Sequence, residues 1–169
     1  ISCAKQQVVK WNGSAWACEV DVDTRIVPSQ VPRDQETVAL DSSAILPRYT
    51  SATVGGDGLP VVAYRDGIGN TLKLAHCADQ DCSGAVSSVI VDSDGNPGSY
   101  ASIGIGTDGL PVISYYESED KNLRFAKCNN ADCSDSTIST IDNAESVGRY
   151  SALAIGLDGY PVIAYQDQI

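Results

Sequence analysis

Asp108-Gly109-Leu110-Pro111-Val112-Ile113-Ser114-Tyr115 is one of three copies of a single pattern in this 169-residue chain. The other copies occupy residues 57–64 and 158–165, and all three read Asp-Gly-x-Pro-Val-(Val/Ile)-x-Tyr. Their first aspartates, at 57, 108 and 158, lie 51 and 50 residues apart. A period of this length is typical of propeller blades and other stacked units. The chain is therefore a tandem repeat protein.

The first half of the repeat predicts a β-hairpin. In the second copy, the small and β-branched residues 102–106 lead into Asp108-Gly109, a pair whose preference for positive φ favours a tight turn. Pro111 then begins the second strand, where the missing N–H costs least, and residues 112–116 continue that strand. We interpret the recurring Asp before Gly as turn chemistry rather than a binding site.

The second half of the repeat predicts two more strands. Residues 123–128 alternate apolar and polar side chains, as a half-buried strand does, and residues 137–142 form a fourth strand that matches 88–92 in the preceding copy. Four antiparallel strands in tandem predict an all-β, propeller-like fold with almost no helix. The expected blades are 48–98, 99–148 and a partial blade, 149–169.

The number of repeats does not suffice for a closed propeller. Residues 36–41 resemble a fourth strand, so the segment before Arg48 is read as the end of a degenerate blade, whereas closure usually takes roughly four to eight blades. Unpaired strand edges invite pairing with another chain. Three interpretations stay open: partial blades completed by a neighbouring subunit in a ring or filament, a fragment of a longer propeller, and a compact monomer.

The amino-terminal region, residues 1–35, is predicted to be a hairpin and a linker. Its hairpin is Gln6-Gln-Val-Val-Lys-Trp-Asn-Gly-Ser-Ala-Trp-Ala-Cys18, whose Asn12-Gly13 turn brings Trp11 and Trp16 opposite each other. Residues 27–35 contain two prolines and predict a linker or long loop.

Six cysteines predict disulfides. Each repeat holds a C-x4-C pair, whereas zinc ligands usually come as C-x2-C pairs with further Cys or His, and the chain has one histidine, His76. The expected bonds are Cys77–Cys82 and Cys128–Cys133. Cys3–Cys18 follows by elimination, with an intermolecular bond through Cys3 left open. Disulfides persist in oxidising compartments, which indicates a secreted or cell-surface protein.

Two parts of the chain resemble known proteins. The Asp-Gly-x-Pro-Val-(Val/Ile)-x-Tyr core with its C-x4-C loop resembles repeats of secreted bacterial surface proteins, over about residues 36–169. The Lys10-Trp-Asn-Gly-Ser-Ala-Trp-Ala-Cys18 segment is similar to a short module of bacterial and phage fibre proteins. The resemblance implies an extracellular location and a blade-type fold, and it says little about activity.

Charge excludes some classes of partner. The formal net charge is −11, which argues against nucleic acid and against anionic membrane surfaces, because both attract clustered Lys and Arg. No run of about eighteen apolar residues is present to insert into a bilayer.

Recurring aromatic residues give the candidate ligand-binding positions. Tyrosines repeat at 49, 100 and 150 and at 64, 115 and 165, and we expect most of them to fill space between sheets. Tyr116, Arg65 and Trp16 are the residues that we expect to be exposed and able to bind a glycan.

One acidic stretch is a candidate calcium site. Asp92-Ser-Asp94-Gly-Asn96 places oxygen ligands at alternate positions, like the opening of a calcium loop. It lacks the distal Glu and the glycine spacing of that motif, and no other cofactor is expected.

We do not expect an enzyme. There is no Gly-x-Ser-x-Gly elbow beside the lone His76, which we expect to be an exposed strand residue, and no carboxylate pair stands out among 22 acidic residues. The expected function is a structural or adhesive protein that self-assembles by sharing strands. A lectin-like propeller is the alternative, and a glycosidase comes third.

Overall fold

The computed structural model describes residues 7–11, 16–20, 37–44 and 46–168, with side chains from residue 37 onward. The chain divides into two compact units, Ile1–Thr37 and Val38–Ile169. In the first unit, β1 (Gln7–Trp11) pairs antiparallel with β2 (Trp16–Val20), and Trp11 stands opposite Trp16 in the register. The predicted amino-terminal hairpin is therefore confirmed, while its turn and the predicted linker lie outside the described residues.

The second unit contains two four-stranded antiparallel sheets and a two-stranded one. The first sheet consists, in order, of β3 (Arg48–Val54), β4 (Pro60–Asp66), β5 (Thr71–Cys77) and β6 (Val86–Asp92). The second sheet consists of β7 (Ser99–Ile105), β8 (Pro111–Glu117), β9 (Asn122–Cys128) and β10 (Ser136–Asp142). The terminal hairpin consists of β11 (Val147–Ile155) and β12 (Pro161–Asp167).

This architecture confirms the all-β class and the four-stranded repeat. The described part of the chain contains no helix. One strand prediction is wrong: residues 37–41 of the expected strand 36–41 form none. A strand exists only through hydrogen bonds to a neighbouring strand, and no described strand pairs with this segment.

The Asp-Gly pairs form the turns between the first and second strands, as predicted. In each of the three copies the aspartate Oδ1 accepts the backbone N–H two residues later, at 3.1 Å. The glycine directly after each aspartate has φ between 79° and 85°. This left-handed conformation favours glycine, which explains why the pair recurs.

The core lies along the middle strands of the two complete sheets. Its buried residues include Val61, Leu72 and Leu74 from the first sheet and Ile113, Tyr115 and Ala126 from the second. Serines join the first strands of successive sheets: Ser51 Oγ accepts the Ile103 N–H at 3.2 Å, and Ser102 Oγ accepts the Leu153 N–H at 2.9 Å. Successive repeats therefore contact each other through β3, β7 and β11.

Two of the predicted disulfides are confirmed. Cys77–Cys82 and Cys128–Cys133 each close the turn between the third and fourth strands of a sheet. Both Cys82 and Cys133 have positive φ, and each donates its backbone N–H to the carbonyl three residues earlier. The predicted Cys3–Cys18 bond lies outside the described residues.

The same valine has very different environments in the three repeats. Val61 in β4 is 0% exposed and Val112 in β8 is 5% exposed, whereas Val162 in β12 is 62% exposed. The first two strands have neighbours on both sides, while β12 pairs only with β11 among the described strands. The terminal hairpin therefore exposes a surface that the complete sheets cover.

Candidate functional site

Three tyrosines form a row across the repeats. The ring centroids of Tyr49 and Tyr100 lie 4.6 Å apart, and those of Tyr100 and Tyr150 lie 4.3 Å apart. Each tyrosine sits at a register irregularity near the start of β3, β7 or β11, and their φ angles are 54°, 55° and 53°. Such irregularities re-aim side chains, and here they bring three rings together. We call these residues the tyrosine row.

The central ring of the row stays protonated at physiological pH. Hydrogen bonding with Tyr150, together with burial and the neighbouring Tyr49, raises the pKa of Tyr100 to about 12. Its hydroxyl is therefore a hydrogen-bond donor or acceptor rather than an anion.

A polar cavity of about 230 Å³ opens beside the row. We call it the tyrosine cavity, and its lining is Tyr49, Ser99, Tyr100, Tyr116, Ser118, Lys121 and Arg149. The Arg149 guanidinium lies 5.2 Å from the centre of the Tyr116 ring, and the Tyr116 and Tyr100 centroids are 6.3 Å apart. A cation over an aromatic face is a favourable arrangement that fixes the guanidinium at the cavity wall.

The two cations of the cavity have no carboxylate partner among the described residues. No Asp or Glu oxygen described here lies within 4.0 Å of Lys121 Nζ or of the Arg149 guanidinium. The Nε of Arg149 is buried and has no hydrogen-bond partner in the part of the chain that the structure describes. In a chain of net charge −11, these unneutralised cations make the cavity a local site of positive charge.

The predicted ligand-binding residues are separated by the fold. Tyr116 lines the cavity, but the expectation of an exposed side chain is wrong: it is buried, because Arg149 covers its ring. Arg65 donates from Nη2 to the side-chain oxygens of Asn70, at 2.6 Å, and Asn96, at 3.4 Å, and does not line the cavity. The side chain of Trp16 lies outside the described part.

The other set of recurring tyrosines has a structural role. The hydroxyls of Tyr64, Tyr115 and Tyr165 donate to Asp41, Asp92 and Asp142 at 2.6, 2.6 and 2.7 Å. Each aspartate comes 23 residues earlier in the chain, and Asp92 and Asp142 end the fourth strand of the preceding sheet. We call these three contacts the Tyr–Asp junctions. They hold each repeat to the chain segment that precedes it.

The junctions at Asp41 and Asp92 also hold a cation. Lys73 Nζ lies 2.5 Å from Asp41 Oδ2, and Arg124 Nη1 lies 3.3 Å from Asp92 Oδ2. Burial acts to raise the pKa of Asp41, but hydrogen bonds from Lys73, Ser43 and Tyr64 outweigh it and keep that pKa well below its usual range. Asp41 is therefore a charged anchor, although it precedes β3, the first strand of the first four-stranded sheet.

The candidate calcium residues are engaged with arginines. Arg124 donates from Nη2 to Asp94 Oδ2 at 3.2 Å and from Nη1 to the Asp94 carbonyl at 2.9 Å, besides its contact with Asp92. Asn96 accepts from Arg65. The described residues contain no group of three or more His, Cys, Asp or Glu suited to a metal ion. Calcium binding therefore stays a prediction, and the guanidinium already supplies positive charge to these oxygens.

Two side-chain pairs at equivalent positions escaped the sequence analysis. His76 Nε2 lies 2.8 Å from Asp57 Oδ2, and the half-buried His76 is not the exposed residue expected. Lys127, at the equivalent place in the next repeat, pairs in the same way with Asp108. Aligning the repeats would have revealed this pair, since the two partners keep the same spacing of 19 residues.

A buried glutamate was also missed. Glu117 is fully buried, and its carboxylate accepts the backbone N–H groups of Glu119 and Asp120, while burial raises its pKa. Asp66, at the equivalent position in the first sheet, accepts from Ile68 and Gly69. The repetition identifies Glu117 as a turn residue.

These features define a disulfide-bonded, all-β repeat protein with a polar cavity that is lined by residues of both complete sheets and of the terminal hairpin. No protein-family model matches the chain, and comparison with curated proteins finds no significant relative. None of the described segments is a helix long and apolar enough to cross a membrane.

Proposed function

We propose that this is an extracellular, non-enzymatic structural or adhesive protein, propeller-like in plan, whose copies assemble by completing each other's sheets. The observation that carries the proposal is the exposure of β12. Val162 and Tyr165 repeat residues that are buried in both complete sheets, yet they are 62% and 40% exposed. Exposed apolar surface of this kind marks an interaction site, so we expect a partner to cover these residues.

The open edge of β12 offers the means of association. In the complete sheets the second strand pairs with the first and third, whereas β12 has one neighbour among the described strands. An exposed edge presents unpaired N–H and C=O groups that another strand can bind. Tyr160 and Leu157 in and near the turn add further exposed apolar surface beside this edge.

We infer that the occupant is the amino-terminal segment of a second copy. Asp41 accepts the Tyr64 hydroxyl as Asp92 accepts that of Tyr115. Asp41 therefore takes the position that the last residue of the fourth strand takes in a complete repeat. The β1–β2 hairpin supplies two strands and the terminal hairpin supplies two, which together equal the four of a complete sheet. Repetition of this contact produces a ring or a filament.

The extracellular location rests on the two disulfides, because such bonds persist in oxidising compartments. A non-enzymatic role is supported by what the described carboxylates do. Asp57, Asp92 and Asp108 form turns, junctions and ion pairs.

The test is the size of the non-reduced protein in solution, measured by light scattering across a range of concentrations and by electron microscopy. We expect particles well above the chain mass of 17.8 kDa, growing with concentration. Val162→Lys places a charge on the exposed strand and should yield monomers with an unchanged circular dichroism spectrum.

Ile90→Lys is the matched control, because Ile90 is 57% exposed on β6, the fourth strand of a complete sheet. This variant should assemble like the unmodified protein. A monomer at all concentrations, or assembly by Val162→Lys equal to that of the control, would contradict the proposal.

A further inference from the structure

The tyrosine row keeps its side chains at a conformational cost. A left-handed conformation costs a residue with a side chain roughly 1–2 kcal/mol, and glycine avoids that cost. The chain uses glycine at Gly98 and Gly148, where φ is 94° and 101°, yet two residues later it places Tyr100 and Tyr150 at positive φ. Strain of this kind concentrates at functional sites. The aromatic side chains are therefore what these positions require.

Packing alone does not account for the row. Tyr150 is 64% exposed, and Tyr49 is also exposed, so two of the three rings present surface to solvent. The recurring tyrosines of the Tyr–Asp junctions, in contrast, include the buried Tyr64 and Tyr115. Two rings of the row, those of Tyr49 and Tyr100, line the cavity, and Tyr150 packs against Tyr100 beside it.

The cavity adds a charge pattern that fits an anion. Arg149 and Lys121 line it without a carboxylate within 4.0 Å among the described residues. Ser99 and Ser118 bring two hydroxyls to the same space, 3.4 Å from each other. Cations beside hydroxyls and aromatic rings form a small site for a ligand that has a carboxylate, several hydroxyls and an apolar face.

We propose that the tyrosine cavity binds one carboxylated sugar residue, of the hexuronic acid class. Arg149 and Lys121 bind the carboxylate, and Ser99 and Ser118 bind ring hydroxyls. The C–H face of the sugar packs against Tyr49 and Tyr100. The cavity volume is about 230 Å³. This volume accommodates a single sugar ring. The site is lined by β3, β7, β8, the turn after β8, and β11. It goes beyond the assembly proposed for β12.

The experiment uses the full chain with glucuronate, glucose and inorganic sulfate as probes. Saturation-transfer NMR detects contact whatever the size of the assembly, and calorimetry gives the affinity. For a ligand of this size we expect a Kd of about 1 mM for glucuronate. We also expect binding at least about tenfold weaker for glucose, which lacks the charge, and for sulfate, which lacks the apolar face.

Two variants test the cations, and a third is the matched control. Arg149→Gln and Lys121→Gln should each weaken glucuronate binding by about tenfold, because each removes a charged donor. Arg48→Gln removes the equivalent arginine of the first repeat, which does not line the cavity, and should leave the affinity unchanged.

Four outcomes would overturn the proposal. If glucuronate shows no saturable binding at concentrations up to about 50 times the expected Kd, the cavity is not a binding site for it. Equal binding of glucose would remove the role of the cations, and equal binding of sulfate would reduce the site to a general anion site. An equal loss of glucuronate affinity in Arg48→Gln would show that binding depends on the net charge of the protein and not on the cavity. All four leave the assembly test on Val162 unaffected.

Discussion

Strands β8 and β12 share one sequence pattern and differ in environment. Both begin at the proline of the repeat and contain Val, Ile and Tyr at the same positions. Every residue of β8 is buried, whereas six of the seven residues of β12 are exposed. The local pattern therefore determines the strand, and burial depends on the neighbours that later strands of the sheet supply. In β12 the apolar residues keep the pattern of the repeat without the cover that β8 has.

The largest difference is expected between Ile113→Ala and Ile163→Ala. Ile113 is fully buried in β8. Its truncation should reduce the free energy of unfolding by about 3 kcal/mol through lost burial and a cavity. Ile163 is half-buried in β12. Its truncation should cost about 1 kcal/mol or less in the monomer.

Urea unfolding under non-reducing conditions measures both effects. Dilute protein reports the monomer, and the same titration at high concentration reports the assembly. If a partner covers β12, the cost of Ile163→Ala should rise with concentration while that of Ile113→Ala stays constant. An equal loss in the free energy of unfolding for the two variants in dilute protein would contradict the difference in burial between β8 and β12.

A second contrast concerns the anchors of the Tyr–Asp junctions, Asp41 and Asp142. The largely buried Asp41 accepts from Tyr64, Lys73 and Ser88. Asp41→Asn should cost about 2 kcal/mol at neutral pH by leaving Lys73 without its counter-charge. Asp142 accepts from Tyr165 and from the Ala144 N–H among the described residues, and Asp142→Asn should change stability little.

The pH dependence of the Asp41 effect has a definite sign. The folded-state pKa of Asp41 lies well below that of the unfolded chain. Its contribution is therefore fully present above about pH 4, the ordinary Asp value, and is lost as the pH falls further toward the folded pKa. Urea midpoints of the unmodified protein and Asp41→Asn should converge from about pH 4 toward about pH 2. A gap that widens in acid would contradict the assignment of Asp41 as a charged anchor.

The smallest contrast is between Tyr115→Phe and Tyr165→Phe. The Tyr115 hydroxyl is buried against Asp92, and Arg124 contacts the same carboxylate. Because Arg124 remains, loss of the hydroxyl should cost only about 1 kcal/mol. The Tyr165 bond is exposed, so water replaces it and the change should be close to zero. Thermal unfolding of both variants at the same protein concentration checks this. A larger loss in Tyr165→Phe would show that the terminal junction is covered in solution.

The sequence predicts the local structure of the repeats well because its signals are local. Proline, Asp-Gly pairs and alternation place strands β7 to β12, and close cysteine spacing predicts the two described disulfides. Contacts between repeats are harder to predict. The burial of Tyr116 depends on Arg149, which belongs to the next repeat.

The candidate site could be predicted only in part for the same reason. Tyr116 was singled out as an aromatic residue, but the cavity arises from a bulge in β7 that turns Tyr100 toward it and from the approach of β11. Neither feature leaves a pattern in one repeat. The positive φ of the tyrosine row has no sequence signature either, because tyrosine is uncommon in that conformation.

The serine contacts between first strands give the array a polarity. Ser51 Oγ accepts the backbone N–H of Ile103 in the next repeat, and Ser102 Oγ accepts that of Leu153. In each contact the serine acceptor lies on the earlier repeat and the N–H donor lies on the later one. Two copies facing each other across a two-fold axis cannot reproduce such a one-way contact. Ala152 stands where Ser51 and Ser102 stand, and it has no hydroxyl to offer. An assembly built on this plan therefore has two chemically different ends, and its joints between copies lack a bond that every described joint within a copy has.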